Sequence, residues 1–132
     1  MIEKILFFAA VLLVSAAFAP RLSWAKGSLD NVSAHGFYEQ IMDDPEGVVL
    51  DIRTPGEFAQ GHVAGAVNVD FYDSGFASEL QKMPKDKTYF VYCRSGNRSS
   101  KALSMMKAMG FTSIVHMDRG IIDWIRSGFP LD

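Results

Sequence analysis

Short apolar runs alternate along this chain with segments of helical periodicity, and the alternation begins after residue 26. The runs GVVLDI (47–52) and TYFVYC (88–93) are rich in β-branched and aromatic residues, which is typical of strands covered on both faces. AVNVD (66–70) and SIVHM (113–117) are shorter candidates of the same kind. Strands that alternate with helices in this way predict an α/β domain with a mostly parallel sheet.

Five segments of mixed polarity predict the helices around these strands. The predicted ranges are 34–42 behind a capping Ser33, 55–60 behind a capping Thr54, 74–83, 99–109 and 121–127. The fourth helix should end at Gly110, because glycine often closes a helix in the left-handed conformation. One face of that helix is apolar, and such a stripe predicts a core surface rather than a cofactor site. The stripe comprises Ala102, Met105, Met106 and Met109.

The first residues predict a targeting segment rather than part of the folded domain. An almost unbroken apolar run extends from Ile5 to Ala19, and a helix of that length measures roughly 22 Å, short of the ~30 Å bilayer core. A small-x-small cleavage site follows at 23–25. We therefore expect a secretory signal peptide (1–25), an exported, periplasmic domain (26–132) and no stable membrane span. An uncleaved N-terminal anchor and a buried helix of a cytosolic protein are the alternatives.

Composition and charge narrow the classes of partner. The 132 residues are 48% hydrophobic and 21% charged, as in ordinary globular proteins, and one domain of this size folds without disulfides or metals. The formal net charge is −2, so neither nucleic acid nor an anionic membrane surface is an expected partner. Any anion must therefore be bound by a local group of residues.

Cys93 is the only cysteine, and it ends a predicted strand just before a short loop and a helix. Because no second cysteine is present, a disulfide within the chain is excluded, and we expect no metal and no cofactor. The N–H groups of the first helical turn have no partners within the helix, and Gly96 lets the loop curl so that its N–H groups point inwards. Together they predict a nest of N–H groups that binds an anion. Such surroundings lower the pKa of a thiol into a range of about 3.5–7.5. We therefore predict that Cys93 is a nucleophile held as a thiolate, whereas the alternative is a buried structural cysteine. The predicted binding residues are Arg94, Ser95, Gly96, Asn97, Arg98 and Ser99.

The three histidines lie far from Cys93 in sequence. His35 falls in a predicted surface helix, His62 in a Gly-His turn and His116 in a predicted strand. A histidine in such a position is more often a structural residue than the base of a Cys-His pair. We therefore expect the backbone nest, and not a histidine, to activate Cys93.

Three ordered motifs resemble those of the single-domain rhodanese family of sulfurtransferases. CRSGNRS (93–99) resembles its active-site loop, and LDIRTPGEFAQGHVAGAVNV (50–69) resembles its upstream signature. DRGIIDWIRSGFP (118–130) resembles its closing Gly-Gly-x-x-x-Trp motif, with Arg119 where the first glycine is usual. The resemblance implies a rhodanese-like α/β fold with a five-stranded parallel sheet and helices on both faces. It also implies a persulfide on Cys93 as the reaction intermediate.

In a protein of this kind a small anionic sulfur donor such as thiosulfate would react with Cys93, and cyanide or a thiol would accept the sulfur. We expect Arg94 and Arg98 to orient the donor, with the loop N–H groups holding the outer sulfur. Two supporting residues have a structural interpretation: Asp51 fixes a turn or braces the loop, and Arg53 pairs with Glu57 four residues on. The turn itself would be held by Gly61, His62 and Gly65.

Other functions remain open on sequence alone. Cysteine phosphatases use a similar loop, but their signature resembles Cys-x5-Arg, whereas four residues separate Cys93 from Arg98 here. Arsenate reduction would need an outside reductant to reset a lone cysteine. A persulfide carrier or interaction module that serves a partner protein uses the same loop, so the loop does not separate it from a free-standing enzyme.

Overall fold

Five strands form one fully parallel sheet in the computed structural model, which describes residues 28–132. The strands are β1 (Ser28–Val32), β2 (Val48–Asp51), β3 (Val67–Asn68), β4 (Thr88–Tyr92) and β5 (Ser113–Met117). Their order across the sheet is β1-β5-β4-β2-β3. The central strand β4 therefore has a neighbour on each side, and its carboxyl end opens into the loop that follows Cys93. The predicted α/β fold with a parallel sheet is confirmed.

Helices cover both faces of the sheet, as predicted. They are α1 (Ala34–Asp43), α2 (Pro55–Ala59), α3 (Phe76–Gln81), α4 (Asn97–Ala108) and α5 (Gly120–Arg126). On one face the core contains Phe37 of α1 and Trp124 of α5, and on the other it contains Leu80 of α3 and Met106 of α4. The predicted methionine stripe therefore belongs to the core.

The helix caps follow the sequence pattern. The Ser33 hydroxyl accepts a hydrogen bond from the N–H of Gly36 at 3.3 Å at the start of α1. Thr54 and Glu57 form a reciprocal capping box at the start of α2. Gly110 follows α4 with a φ of +94°, the left-handed conformation expected after that helix. These short-range signals set the helix ends near the predicted positions.

Two features differ from the sequence pattern. The strand β1 (SLDNV) has too few apolar residues to predict a strand, but its position at the sheet edge requires only one partner, β5. The helix α4 begins at Asn97, two residues before the predicted start, because Gly96 adopts a φ of +103° and turns the chain early. Both differences bear on the site, since β1 and the start of α4 each supply a residue to it.

The predicted signal peptide and its cleavage site lie outside the described residues and stay predictions. Between residues 28 and 132, no helix is long and apolar enough to cross a membrane.

Candidate active site

The sulfur of Cys93 lies at the carboxyl edge of the sheet, directly after β4. The backbone N–H of Gly96 donates a hydrogen bond to Sγ at 3.2 Å, and the N–H of Ser99 does so at 3.5 Å. These donors belong to the start of α4, where N–H groups have no partner within the helix. The predicted backbone nest around the sulfur is therefore present.

Hydrogen bonding lowers the pKa of Cys93 although its side chain is buried. Cys93 is 1% exposed, and burial by itself raises the pKa of a thiol. The Ser99 hydroxyl and the N–H groups of Ser99, Gly96 and Ser95 outweigh that effect, so the pKa lies below its ordinary value. The site thus favours a thiolate that solvent hardly reaches. The exposed residues of the loop are Arg94, Ser95 and Asn97.

Gly96 is required by both the conformation and the packing of the loop. Its φ of +103° strains any residue with a Cβ, and a Cβ built there would collide with the carbonyl oxygen of Asp118. The segment after β5 therefore presses directly on the loop. Only glycine leaves room for that approach.

The start of α5 braces the other side of the loop. The N–H of Ile121 donates to the carbonyl of Cys93 at 3.0 Å, and the N–H of Ile122 donates to the carbonyl of Arg94 at 3.3 Å. Gly120 has a φ of +64°, and a Cβ on it would meet those same two carbonyl groups. The N–H groups at the start of α5 thus hold the carbonyl groups of the loop in place, and the N–H groups at the other side of the same loop point towards the sulfur of Cys93.

Arg98 forms an ion pair that the sequence did not predict. Its Nη1 and Nη2 donate to Oε1 and Oε2 of Glu57 at 2.7 and 2.9 Å. This pairing, together with the Thr54 hydrogen bonds, lowers the pKa of Glu57 from 4.5 to about 2, although partial burial opposes it. The expected pair between Arg53 and Glu57 is therefore wrong. Arg53 precedes the N-cap of α2, so it does not share a helical face with Glu57.

Asp51 instead holds Arg53 in a buried network. Its carboxylate accepts from the backbone N–H of Arg53 at 2.9 Å and from its Nη2 at 2.7 Å, and Arg53 Nη2 also donates to the carbonyl of Gly61 at 2.7 Å. The hydroxyl of Tyr92 donates to Asp51 at 2.6 Å, and burial together with that carboxylate raises the pKa of Tyr92. Asp51 thus contacts the turn that follows β2 through the N–H of Arg53. It also braces the residue just before Cys93.

A chain of hydrogen bonds leads from the sulfur to a histidine. The Ser99 hydroxyl lies 3.2 Å from Sγ of Cys93 and 2.6 Å from Nε2 of His116, and Nδ1 of His116 lies 2.8 Å from Oδ1 of Asn31. The sequence placed His116 correctly on a strand but predicted no connection to Cys93. A usable signal was present, because a polar side chain inside the buried run 113–117 needs a buried partner.

Comparison with known proteins identifies the family. A model of the rhodanese-like domain matches residues 33–127. The chain belongs to the rhodanese-like family.

Named relatives and solved structures of this family resemble the chain over most of its length. A sulfurtransferase of Allochromatium vinosum is 29% identical over 103 residues, covering 78% of this chain and 94% of the relative. Thiosulfate sulfurtransferase 16, chloroplastic, of Arabidopsis thaliana is 37% identical over 92 residues, covering 61% and 76%. The crystal structure of a rhodanese-related protein from Thermoplasma volcanium superposes with a TM-score of 0.69 at 32% identity, covering 78% and 97%.

Arg119, which replaces a glycine of the closing rhodanese motif, leaves that turn intact. Its φ is −102°, a value that any residue adopts, whereas the positive φ falls on Gly120. The departure from the family pattern therefore costs the loop none of its support from α5.

The Gly-His turn of the rhodanese upstream signature is also formed as predicted. Gly61 and Gly65 have φ values of +132° and +78°, and Nδ1 of His62 is hydrogen-bonded to the carbonyl of Phe58 at 2.9 Å. His62 is therefore a structural residue, and so is the exposed His35 of α1, whose ring packs edge-on against Phe129.

Proposed function

We propose that this rhodanese-like protein transfers sulfane sulfur from a small anionic donor such as thiosulfate to cyanide or a thiol, through a persulfide on Cys93. The observation that carries the proposal is the position of Sγ, which accepts N–H hydrogen bonds from Gly96 and Ser99 at the start of α4. The relatives named as sulfurtransferases support it. The proposed catalytic residue is Cys93, and the proposed binding residues are those of the loop 94–99.

The reaction takes two displacements at sulfur. The Cys93 thiolate attacks the outer sulfur of thiosulfate, a new S–S bond forms, and the old S–S bond breaks with its electron pair leaving on sulfite. The acceptor then attacks the outer sulfur of the persulfide, and Cys93 departs as a thiolate. Amide hydrogens that stabilise the resting thiolate also stabilise it as the leaving group, so one nest serves both steps.

The two arginines of the loop have different capacities to bind the donor. Both guanidinium nitrogens Nη1 and Nη2 of Arg98 are engaged by Glu57, whose carboxylate offsets its charge. Arg94, in contrast, is exposed to solvent. We therefore assign the attraction of a dianionic donor mainly to Arg94, and the positioning of the start of α4 to Arg98.

Burial of Cys93 favours one alternative, a persulfide carrier. A persulfide enclosed by the loop is shielded from small thiols in solution, and this protection suits a protein that delivers its sulfur to a partner protein. Turnover separates the two: a carrier forms the persulfide on Cys93 but transfers it poorly to free cyanide or small thiols.

Intact mass spectrometry after incubation with thiosulfate tests the proposal. Wild type should gain the mass of one sulfur, and Cys93→Ser should gain none, because the chain has no other cysteine. Sulfite release and thiocyanate formation with cyanide then measure turnover. If wild type gains no sulfur from thiosulfate or from any other sulfane donor, the proposal is refuted.

We also propose export of the domain to the periplasm of a bacterial cell, on the apolar run and cleavage site of the first 25 residues. Expression of the full chain in a bacterium tests this. A mature protein whose N-terminus is residue 26, recovered from the periplasm, supports export, and an intact cytoplasmic chain contradicts it.

A further inference from the structure

Four side chains form one continuous path from the reactive sulfur to the edge of the sheet. Cys93, Ser99, His116 and Asn31 are joined by contacts of 3.2, 2.6 and 2.8 Å. They come from four separate elements, since Cys93 follows β4, Ser99 lies in α4, His116 in β5 and Asn31 in β1. His116 is 2% exposed and Ser99 is fully buried, so bulk water does not compete for the Cys93–Ser99 and Ser99–His116 contacts, whereas Asn31 at the sheet edge is exposed.

The position of each proton on this path follows from which groups at its two ends can donate or accept a hydrogen bond. The amide oxygen of Asn31 only accepts, so Nδ1 of His116 carries a proton and donates it. In a neutral imidazole, Nε2 is then an acceptor, and the Ser99 hydroxyl must donate to it. The single hydroxyl proton is thereby used, so the Ser99 oxygen can only accept from the Cys93 thiol. Neutral His116 therefore matches neutral Cys93.

Ionisation of Cys93 reverses that order. A thiolate only accepts, so its contact with Ser99 is a hydrogen bond only when the hydroxyl turns its proton towards Sγ, away from His116 and from the Gly96 carbonyl, which also lies 3.2 Å from the hydroxyl oxygen. Nε2 of a neutral His116 would then face an oxygen with no proton between them, at only 2.6 Å. Adding a proton to Nε2 restores the bond, because the imidazolium donates to the Ser99 oxygen. The path is fully bonded only when Cys93 and His116 are both neutral or both charged.

The charged groups around the path determine whether the neutral or the charged form of the Cys93–His116 pair is favoured. Burial lowers the pKa of His116, which disfavours an isolated imidazolium, and the carboxylate of Asp118 after β5 opposes that effect. Asn31 of β1 is uncharged, and on α4 the charge of Arg98 is offset by Glu57 of α2. A thiolate at Cys93 is therefore the anion that an imidazolium at this buried position can pair with.

We propose that His116 is the proton partner of Cys93 and that Ser99 carries the proton between them. His116 touches no reacting atom and is thus a positioning residue that acts through Ser99. As a step in sulfur transfer this rests on the function proposed above, although the ionisation itself does not require it.

The step is a concerted shift of two protons. The S–H bond of Cys93 breaks as its proton passes to the Ser99 oxygen, and the original Ser99 proton passes to Nε2 of His116. Cys93 becomes a thiolate, His116 becomes an imidazolium, and Ser99 is unchanged. Since Cys93 attacks and later departs as a thiolate, His116 keeps the proton through both displacements. Neither an oxidant nor a reductant is needed.

The ultraviolet absorbance of the thiolate, followed against pH, tests the proposal without any sulfur donor. His116→Asn removes the titrating group and keeps a polar side chain beside Ser99. We expect its thiolate midpoint to rise by about one pH unit or more, which is about a tenfold loss of thiolate below that midpoint. The control His35→Asn alters an exposed histidine of α1 and should titrate like wild type. Equal midpoints in wild type and His116→Asn overturn the proposal.

The reciprocal measurement leaves His116 in place, so it decides the matter even if His116→Asn does not fold. Coupling between two titrating sites is reciprocal, so the pKa of His116 should be lower in Cys93→Ser than in wild type. Nuclear magnetic resonance of the imidazole nitrogens measures it. An unchanged pKa for His116 in Cys93→Ser overturns the proposal.

A third measurement tests the route through Ser99. If His116 acts only through that hydroxyl, adding His116→Asn to Ser99→Ala should change the Cys93 midpoint no further. An independent, additive shift in the double variant overturns the assignment of Ser99 as the carrier. Sulfur loading by intact mass is scored separately, so a coupled titration without sulfur uptake retains this proposal and refutes the proposed function.

Discussion

The Glu57–Arg98 ion pair should make the stability of the domain depend on acid, and Glu57→Gln should remove that dependence. Both oxygens of Glu57 accept from Arg98, at 2.7 and 2.9 Å. The substitution keeps the shape of the side chain and its capping contacts within reach but removes the charge. Because this pair connects α2 to the first turn of α4, its loss is felt at the active loop.

The magnitude follows from the pKa of Glu57, which falls from 4.5 to about 2 in the folded protein. Such a shift corresponds to roughly 3 kcal/mol at about 1.4 kcal/mol per unit. The Glu57 and Arg98 side chains are 28% and 15% exposed, so solvent screening reduces this figure, and we expect about 1–2 kcal/mol. Since the folded-state pKa is depressed, the contribution is complete above about pH 4.5 and is lost as the pH falls towards 2.

Urea unfolding at a series of pH values measures the effect. Glu57→Gln should be less stable than wild type by about 1–2 kcal/mol near neutral pH, and the difference should shrink towards zero in acid, where Glu57 becomes protonated. Glu79→Gln is a matched control, because Glu79 pairs with Lys82 at 3.4 Å on an exposed surface and should cost at most ~0.5 kcal/mol. A gap between wild type and Glu57→Gln that is absent at neutral pH, or persists undiminished in acid, would refute the reasoning.

Three further predictions follow from the site. Gly120→Ala should destabilise the domain by about 3 kcal/mol in urea unfolding and abolish sulfur loading, because its Cβ would collide with the loop carbonyls. Gly110→Ala is the control: it has a similar positive φ but lies in open space, so it should cost only about 1 kcal/mol. Arg94→Gln should raise the KM for thiosulfate several-fold with little change in kcat, whereas Arg126→Gln, at another exposed arginine, should leave both unchanged. If the two variants change KM equally, Arg94 does not capture the donor electrostatically. Asp51→Asn should cost about 3–5 kcal/mol in thermal unfolding, because it leaves a buried guanidinium unpaired, and a near-neutral result would contradict that network.

The central strands and the reactive loop were predictable because their signals are contiguous. A strand covered on both faces is largely apolar, so the strands at 88–93 and 113–117 can be recognised from their own residues without knowledge of their neighbours. The loop after Cys93 combines a glycine with a helix start within a few residues, and its N–H groups reach the sulfur for that local reason. The edge strand β1 carries no such signal, since its stability comes from pairing with β5.

The contacts that could not be predicted join residues far apart in sequence. Arg98 and Glu57 are separated by 41 positions, and the pattern instead suggested a helical pair four residues apart. That rule assumes a shared helical face, which fails because Thr54 caps α2 after Arg53. The link between His116 and Cys93 also depends on the sheet order, in which β5 lies beside β4. The sequence showed only that His116 needed a polar partner.

The charges around the sulfur imply that one set of groups stabilises the Cys93 thiolate and another set captures the donor. Glu57 offsets Arg98, so the groups that stabilise the Cys93 anion are amide hydrogens, one buried hydroxyl and, through that hydroxyl, the buried His116. Salt screens buried dipoles little, but it screens an exposed charge such as Arg94 beyond about 8 Å at physiological ionic strength. Added salt should therefore raise the KM for a dianionic donor while the thiolate midpoint of Cys93 stays nearly constant. A midpoint that rises in step with KM would mean that guanidinium charge, and not the backbone, keeps the sulfur ionised.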